Sequence, residues 1–214
     1  MTTYSIERTA GPVHEPVTKE VVKRQCRVEV AETVFDEWLD GTGTEKGVIA
    51  SAREFVENDI NQVLMPQTFI LKASDWLELS GGIDLQRHPV QAVSAINYFD
   101  SSGNPQVVDE DFFEVVREKF RSRLYLASNT TTLPTLAASR PWPLSFTLLA
   151  GYSLATVDVE TQRAAVPRAA VMAVLLLLGH WFRNRESVAV GTISSEIEQS
   201  YRALVRSLKQ ERYR

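Results

Sequence analysis

Cysteine and histidine are scarce in this chain: Cys26 is the only thiol, and His14, His88 and His180 are the only imidazoles among 214 residues. One thiol cannot close an intrachain disulfide and leaves no second sulfur for a metal site, so a cytoplasmic setting is the default expectation. The histidines lie far apart in sequence with no partner at metal-ligand spacing, and a zinc site is not expected. Long apolar runs are also missing. The strongest, Ala169 to Gly179, lies between Arg168 and His180 and falls short of the roughly 20 residues needed to cross a bilayer. It reads as a buried helix, and no membrane is expected among the partners. Met1 to Arg8 lack the basic start and apolar core of a signal peptide, so export by that route is not expected either. Positive charge is not in excess: 23 Lys and Arg against 27 Asp and Glu leave a net charge of −4 and a pI near 5.5. That balance argues against a protein whose main task is to coat DNA or RNA. What is there, 44% hydrophobic and 23% charged residues, is ordinary globular composition for one compact domain or two small ones.

Chemical machinery is equally sparse. Gly41-Thr42-Gly43-Thr44-Glu45-Lys46-Gly47 has the look of a phosphate loop, but its spacing fits neither the dinucleotide fingerprint nor Walker A, and an acidic stretch rather than an apolar strand precedes it. It reads as a flexible loop between helices. No Gly-x-Ser-x-Gly elbow surrounds any serine. Lys23, Arg24 and Arg27 are positioned to lower the thiol pKa of Cys26, yet one residue is no catalytic constellation, and a half-buried structural cysteine is the better reading. Asp109-Glu110-Asp111 offers oxygen ligands, but an acidic run after a hairpin is ordinarily a solvated loop. The expectation is a non-enzyme without catalytic, metal-binding or cofactor-binding residues, and without a cofactor.

Hydrophobic period divides the chain into an arm (1–17), N-terminal helices (18–66), an antiparallel β insertion (67–152) and C-terminal helices that complete a helical core (153–214). Thr2 to Pro16, with Pro12, Pro16, Gly11 and His14, shows no periodicity and reads as an extended arm. Thr18 is a good N-cap for a short helix through Val21, Val22 and Cys26, extending toward Val28. Val34, Phe35, Trp38 and Leu39 suggest a weaker helix in an acidic setting. Val48, Ala52, Phe55, Val56 and Ile60 fall at helical spacing, with Arg53, Glu54 and Glu57 on the wet side. Gln67–Leu71, Trp76–Leu79, Ala92–Phe99, Gln106–Val108, Leu124–Leu126 and Phe146–Leu149 are β-prone, with a turn at Asp100-Ser101-Ser102-Gly103-Asn104-Pro105. Pro167 suits a first helical turn, and Val171, Val174, Leu175, Leu178, Trp181 and Phe182, with Phe55, are the expected helical core. The fold class expected is α+β: a mainly α-helical core carrying a small inserted antiparallel sheet.

Charge is unevenly spread. Residues 1–107 hold 9 basic and 16 acidic side chains and residues 108–214 hold 14 and 11, or −7 and +3. A last helix begins near Ser195, where Ser195 and Glu198 match a capping box, and Ile197, Tyr201, Leu204 and Leu208 form one apolar stripe. Its other face carries Arg202, Arg206, Lys209 and Arg212. A solvated helix face and a helix that docks on a partner both fit this pattern.

Ser51-Ala52-Arg53-Glu54-Phe55-Val56-Glu57-Asn58 leading into Gln67-Thr68-Phe69, then His88-Pro89-Val90-Gln91-Ala92-Val93, Ala150-Gly151-Tyr152, and Gly179-His180-Trp181-Phe182-Arg183-Asn184-Arg185-Glu186 occur in an order that resembles the head-tail connector family of long-tailed bacteriophages. These are adaptor, or head-completion, proteins, also found in prophages and phage-derived gene transfer agents. The likeness covers roughly Thr18 to Val188. It implies a structural subunit of the virion neck, one of a homo-oligomeric ring, usually of twelve, beneath the portal protein. The ring extends the DNA channel toward the tail and meets a stopper or other tail-proximal neck protein. DNA would pass through without sequence-specific binding, a duty that suits a net acidic subunit because each phosphate neutralised adds salt-sensitive affinity. Another ring-forming neck or tail protein, a stopper or tail terminator, is the alternative. Against that background the C-terminal helix, through Ile197, Tyr201, Arg202, Leu204, Arg206, Leu208, Lys209 and Arg212, is expected to dock on the portal. The long arm, the acidic Ala31 to Thr44 stretch and the Ser153 to Val166 segment depart from the usual family pattern.

Overall fold

Burial alternates strictly along Gln67–Ala73 (β2) and Leu144–Ala150 (β8), at the centre of a sheet, because side chains in a strand point to opposite faces in turn. They pair antiparallel with Phe69 opposite Leu148 and Leu71 opposite Phe146, and all four side chains are buried. The computed structural model describes residues 4–42, 46–76, 82–85, 87–108, 110–118, 121–127, 133–184 and 195–209. It divides into two units: Met1–Pro12 with Pro66–Thr156, and Val13–Met65 with Val157–Arg214.

The first unit is built on this sheet. Tyr4–Ala10 (β1) pairs with the outer side of β2, Val90–Phe99 (β4) lies beyond β8, and Pro105–Val107 (β5) closes the far edge, all antiparallel. The turn from β4 to β5 is the one its residues specify. Asp100 Oδ1 accepts the backbone N–H groups of Ser102 and Asn104, each at 2.9 Å, and Gly103 takes a φ of 82° that a residue without Cβ adopts freely. A second antiparallel sheet has the order Ile83–Asp84 (β3), Ser122–Leu126 (β7), Phe113–Arg117 (β6). Aromatic rings join the two sheets: Trp76 stacks on Phe113 with centroids 5.7 Å apart, and Phe113 meets Phe146 edge-on at 5.9 Å. The Trp76 indole N–H donates to the Pro134 carbonyl at 2.8 Å.

The second unit is helical. Lys19–Gln25 (α1) starts where Thr18 Oγ1 accepts the Val21 N–H. It ends at Gln25, since the chain turns away at Arg27 (φ 58°), and Val28 lies outside the helix with its N–H on the Lys23 carbonyl. Asp36–Asp40 (α2) leads to Val48–Ile60 (α3), which stops at Asn61 in the left-handed conformation. Gly47 is dictated by crowding: a Cβ there would lie 2.0 Å from the Leu39 carbonyl oxygen. Asp158 caps Val159–Ala165 (α4) by accepting the Thr161 N–H. Val166 and Pro167 then swing the chain by 97° into Arg168–Arg183 (α5). Helices α1, α3 and Ser195–Arg206 (α6) all pack on α5. That is why it is apolar over most of its circumference.

The expectation of a mainly helical core with a small inserted sheet is overturned. The protein is about 34% helix and 29% strand and carries two antiparallel sheets, so it is a mixed α+β fold. The difference comes from strands whose local pattern is weak. All seven β1 residues lie in the segment read as an arm without periodicity, and it is a strand because β2 supplies hydrogen-bond partners some sixty residues away. Phe113–Arg117 follows the acidic run and carries Glu114 and Arg117, but is held by pairing with β7. Of the expected Trp76–Leu79 strand, residues 77–79 lie outside the described residues.

Candidate interaction surfaces

α6 was the sequence's candidate contact element, and its surroundings are now explicit. Tyr201, Val205 and Leu208 are buried and Leu204 is half-buried. The Tyr201 ring meets Phe55 of α3 edge-on at 5.9 Å, and Phe55 in turn meets Trp181 of α5 at 6.4 Å. Gln62 donates to the Leu208 carbonyl at 2.6 Å, and Lys209 pairs with Asp59 at 2.6 Å. The described part of the stripe is thus largely covered by its own unit, which the sequence alone did not reveal. Val205, absent from the expected stripe, is its most buried member, because positions 201, 205 and 208 share one helical face. Arg202 and Arg206 stay exposed, Arg202 bonded to Glu198 one turn back. The side chain of Ile197, and Arg212, lie outside the described residues. Burial, reinforced by the nearby Asp59 charge, drives the Tyr201 hydroxyl pKa far up, so the ring stays neutral.

Within the expected helical core, Val174, Leu175, Leu178 and Trp181 are buried, while Phe55, Val171 and Phe182 are half-buried. Phe182 is covered on one side by Phe35 at 5.2 Å and Trp38 at 5.9 Å. The acidic stretch before α3 therefore docks through its aromatic residues.

Arg53 and Glu57 do not lie on the wet side. Arg53 is 1% exposed. Its Nε donates to Glu15 at 2.8 Å and its Nη1 to Glu57 at 2.5 Å, while the other Glu57 oxygen accepts the Leu64 N–H at 2.8 Å. The cation thus bonds one carboxylate of its own helix and one from the segment before α1, and a guanidinium fork is suited to that task. Arg163 adds a bond from α4 to the Glu15 carbonyl. Burial raises the Glu15 pKa despite the opposing pull of Arg53. Burial acts to lower the Arg53 pKa, but the Glu57 and Glu15 carboxylates outweigh it and hold it above the ordinary range. Lys23 is likewise buried, its ammonium facing Asp36 and the carbonyls of Val30 and Glu32.

Each histidine has its own local surroundings. His14 is exposed; His88 Nδ1 lies 3.1 Å from Ser122 Oγ in the first unit; His180 Nδ1 lies 3.0 Å from Asn184 Nδ2 in the second. Among the described residues no group of three His, Cys, Asp or Glu side chains is placed to hold a metal ion. Of the Gly41–Gly47 loop, residues 43–45 lie outside the described residues, as does Asp109 of the acidic run. No single described helix is long and apolar enough to cross a membrane.

No protein-family profile matches the chain, and no curated protein matches it. Solved structures do. A chain in the neck of an empty gene transfer agent (GTA) particle, computed with C6 symmetry, superposes with a TM-score of 0.71 at 15% identity over 98% of this chain and 97% of that one. A chain of the native GTA virion gives 0.67 at 17% identity, with 98% and 97% covered. One from the native GTA neck, computed with C12 symmetry, gives 0.61 at 16% identity, with 96% and 97% covered. Over nearly its whole length, therefore, this chain has the fold of chains found in GTA necks and virions.

Proposed function

We propose that the chain is a structural, non-catalytic subunit of the neck of a GTA or related phage particle. In this reading it is the adaptor that forms a ring under the portal, extends the DNA channel and joins head to tail. The observation that carries this reading is the extent of the fold likeness, which spans 98% of this chain and 97% of a GTA neck chain. A partial likeness would mark a shared domain; one that runs end to end also matches element order and size. Necks computed with C6 and C12 symmetry contain the similar chains, which supports a cyclic homo-oligomer here.

Attachment to the portal is assigned to the cationic face of α6. Its apolar stripe is largely used inside the subunit, so Arg202 and Arg206, with Lys209 and Arg212, are the contact residues of this reading. Electrostatic contacts of this kind set encounter rate and register, and ring symmetry multiplies a weak contact per subunit into high avidity.

Deleting the gene tests the function directly. The expected result is DNA-filled heads without tails, with the wild-type protein found between them in complemented particles by cryo-EM. Particles tailed normally without the protein would refute the reading. Mass measurement of the complex with purified portal separates an adaptor, which binds portal alone, from a stopper or tail terminator, which does not.

A further inference from the structure

We infer that copies of this chain join head to tail, the acidic loop at residues 29–34 of one copy seating in an apolar groove of the next; this rests on the ring reading above. Both surfaces belong to the helical unit. The groove encloses about 720 Å³ among the segment before α1, α1 itself, α4 and α5, and Val17, Val21, Val171 and Met172 line it over a Leu175 floor. Met172 is 49% and Val21 39% exposed, an apolar pair that no element among the described residues covers. Arg163, Glu160 and Arg168 stand on the rim. Arg163 is already paired with Glu160, whereas exposed Arg168 has no ion pair among the described residues.

The loop has the complementary character. It presents Val34, 75% exposed, and Val30, 42% exposed. Residues 28–40 contain five acidic side chains and no basic one. Lys19 and Lys23 neutralise Asp36 and Asp40, while Glu29, Glu32 and Glu37 have no cationic partner among the described residues; Arg24 and Arg27 stand exposed at the base of the loop. The buried Lys23 ammonium holds the loop backbone by the carbonyls of Val30 and Glu32. The knob is therefore preformed, and little ordering entropy is lost when it docks.

Placement decides the geometry. Val21 and Lys23 are two residues apart on α1, so the groove side and the loop side point about 200° apart. Along α5 the groove lies at Met172 and the loop ends where Phe35 meets Phe182, ten residues or about 15 Å further on. A subunit cannot fill its own groove with its own loop. Two different, complementary patches make a heterologous contact, the kind that closes rings.

The test uses the full chain with Cys26→Ser. Val30→Cys together with Met172→Cys, treated with a short bis-maleimide both in concentrated solution and in assembled particles, is expected to give a ladder of linked multimers, and each single variant only monomer. Dimers from Val30→Cys alone would show a twofold contact and overturn the inference, as would monomer from the double variant in both settings. Arg168→Glu is expected to weaken association about tenfold and Glu32→Arg in the same chain to restore most of it, with thermal midpoints unchanged. Met172→Asp protein entering necks at normal copy number would refute this interface and leave the neck reading intact. A ladder from a wild-type-like chain that is absent from particles would do the reverse.

Discussion

Arg53 and its two carboxylates are the most consequential residues that composition cannot flag. Removing the cation leaves Glu57 and Glu15 facing each other in a part-buried site, so Arg53→Met is expected to cost about 3–5 kcal/mol in urea unfolding, the range for breaking a buried pair from one side. Arg53→Met with Glu57→Gln should recover part of that loss. Glu15 also sets a pH dependence. Its folded pKa is raised above the ordinary 4.5, chiefly by burial, so the folded state holds a proton that the unfolded chain has released. Its contribution to stability therefore falls as pH rises from 4.5 through the raised value, then levels off. Asp36, Asp100 and Asp158, lowered by hydrogen bonds, act with the opposite sign at and below 3.8. Subtracting the urea midpoints of Glu15→Gln from wild type between about pH 4 and about pH 8 isolates the Glu15 limb; a flat difference would contradict the assignment.

At the scale of elements, two junctions have clear outcomes. Gly47 sits where the start of α3 passes the Leu39 carbonyl, and an added methyl would overlap backbone rather than a flexible side chain. Gly47→Ala is accordingly expected to lower the thermal midpoint by several degrees, whereas Gly103→Ala, with open space but a φ of 82°, should cost only about 1 kcal/mol of backbone strain. On α5, Leu178 is fully buried at the meeting of the helices. Leu178→Ala should cost about 2–5 kcal/mol by the same melts. α6 combines a covered stripe with an exposed cationic face, which makes its two faces separable by mutation.

At the scale of the whole molecule, that separation gives the test of the proposed attachment. Arg202→Glu with Arg206→Glu should leave the urea midpoint close to wild type, since both side chains are exposed, yet lower retention on DNA-filled heads at low salt and flatten its dependence on added salt. Truncation before α6 is the poorer experiment, because it would uncover Phe55 and Trp181 as well. Normal retention of the double reversal at low salt would move attachment away from α6.

Much of the local structure was legible in the residues themselves. The 3.6 period of Val48–Ile60 and of Arg168–Arg183, the Thr18 cap, the Asp100 turn and the β-prone residues of β2 and β8 all depend on neighbours within one or two turns, and a linear reading senses such neighbours directly. The order of these pieces also carried the resemblance to connector proteins. Only the tertiary structure decided the rest. β1 is a strand because β2 offers its edge, the Arg53 cation is buried because Glu15 arrives from 38 residues away, and the α6 stripe is covered because Phe55 and Trp181 converge beneath Tyr201. In each case the partner that changes the reading is brought in by the fold, and its energy exists only once the intervening chain has paid its closure entropy.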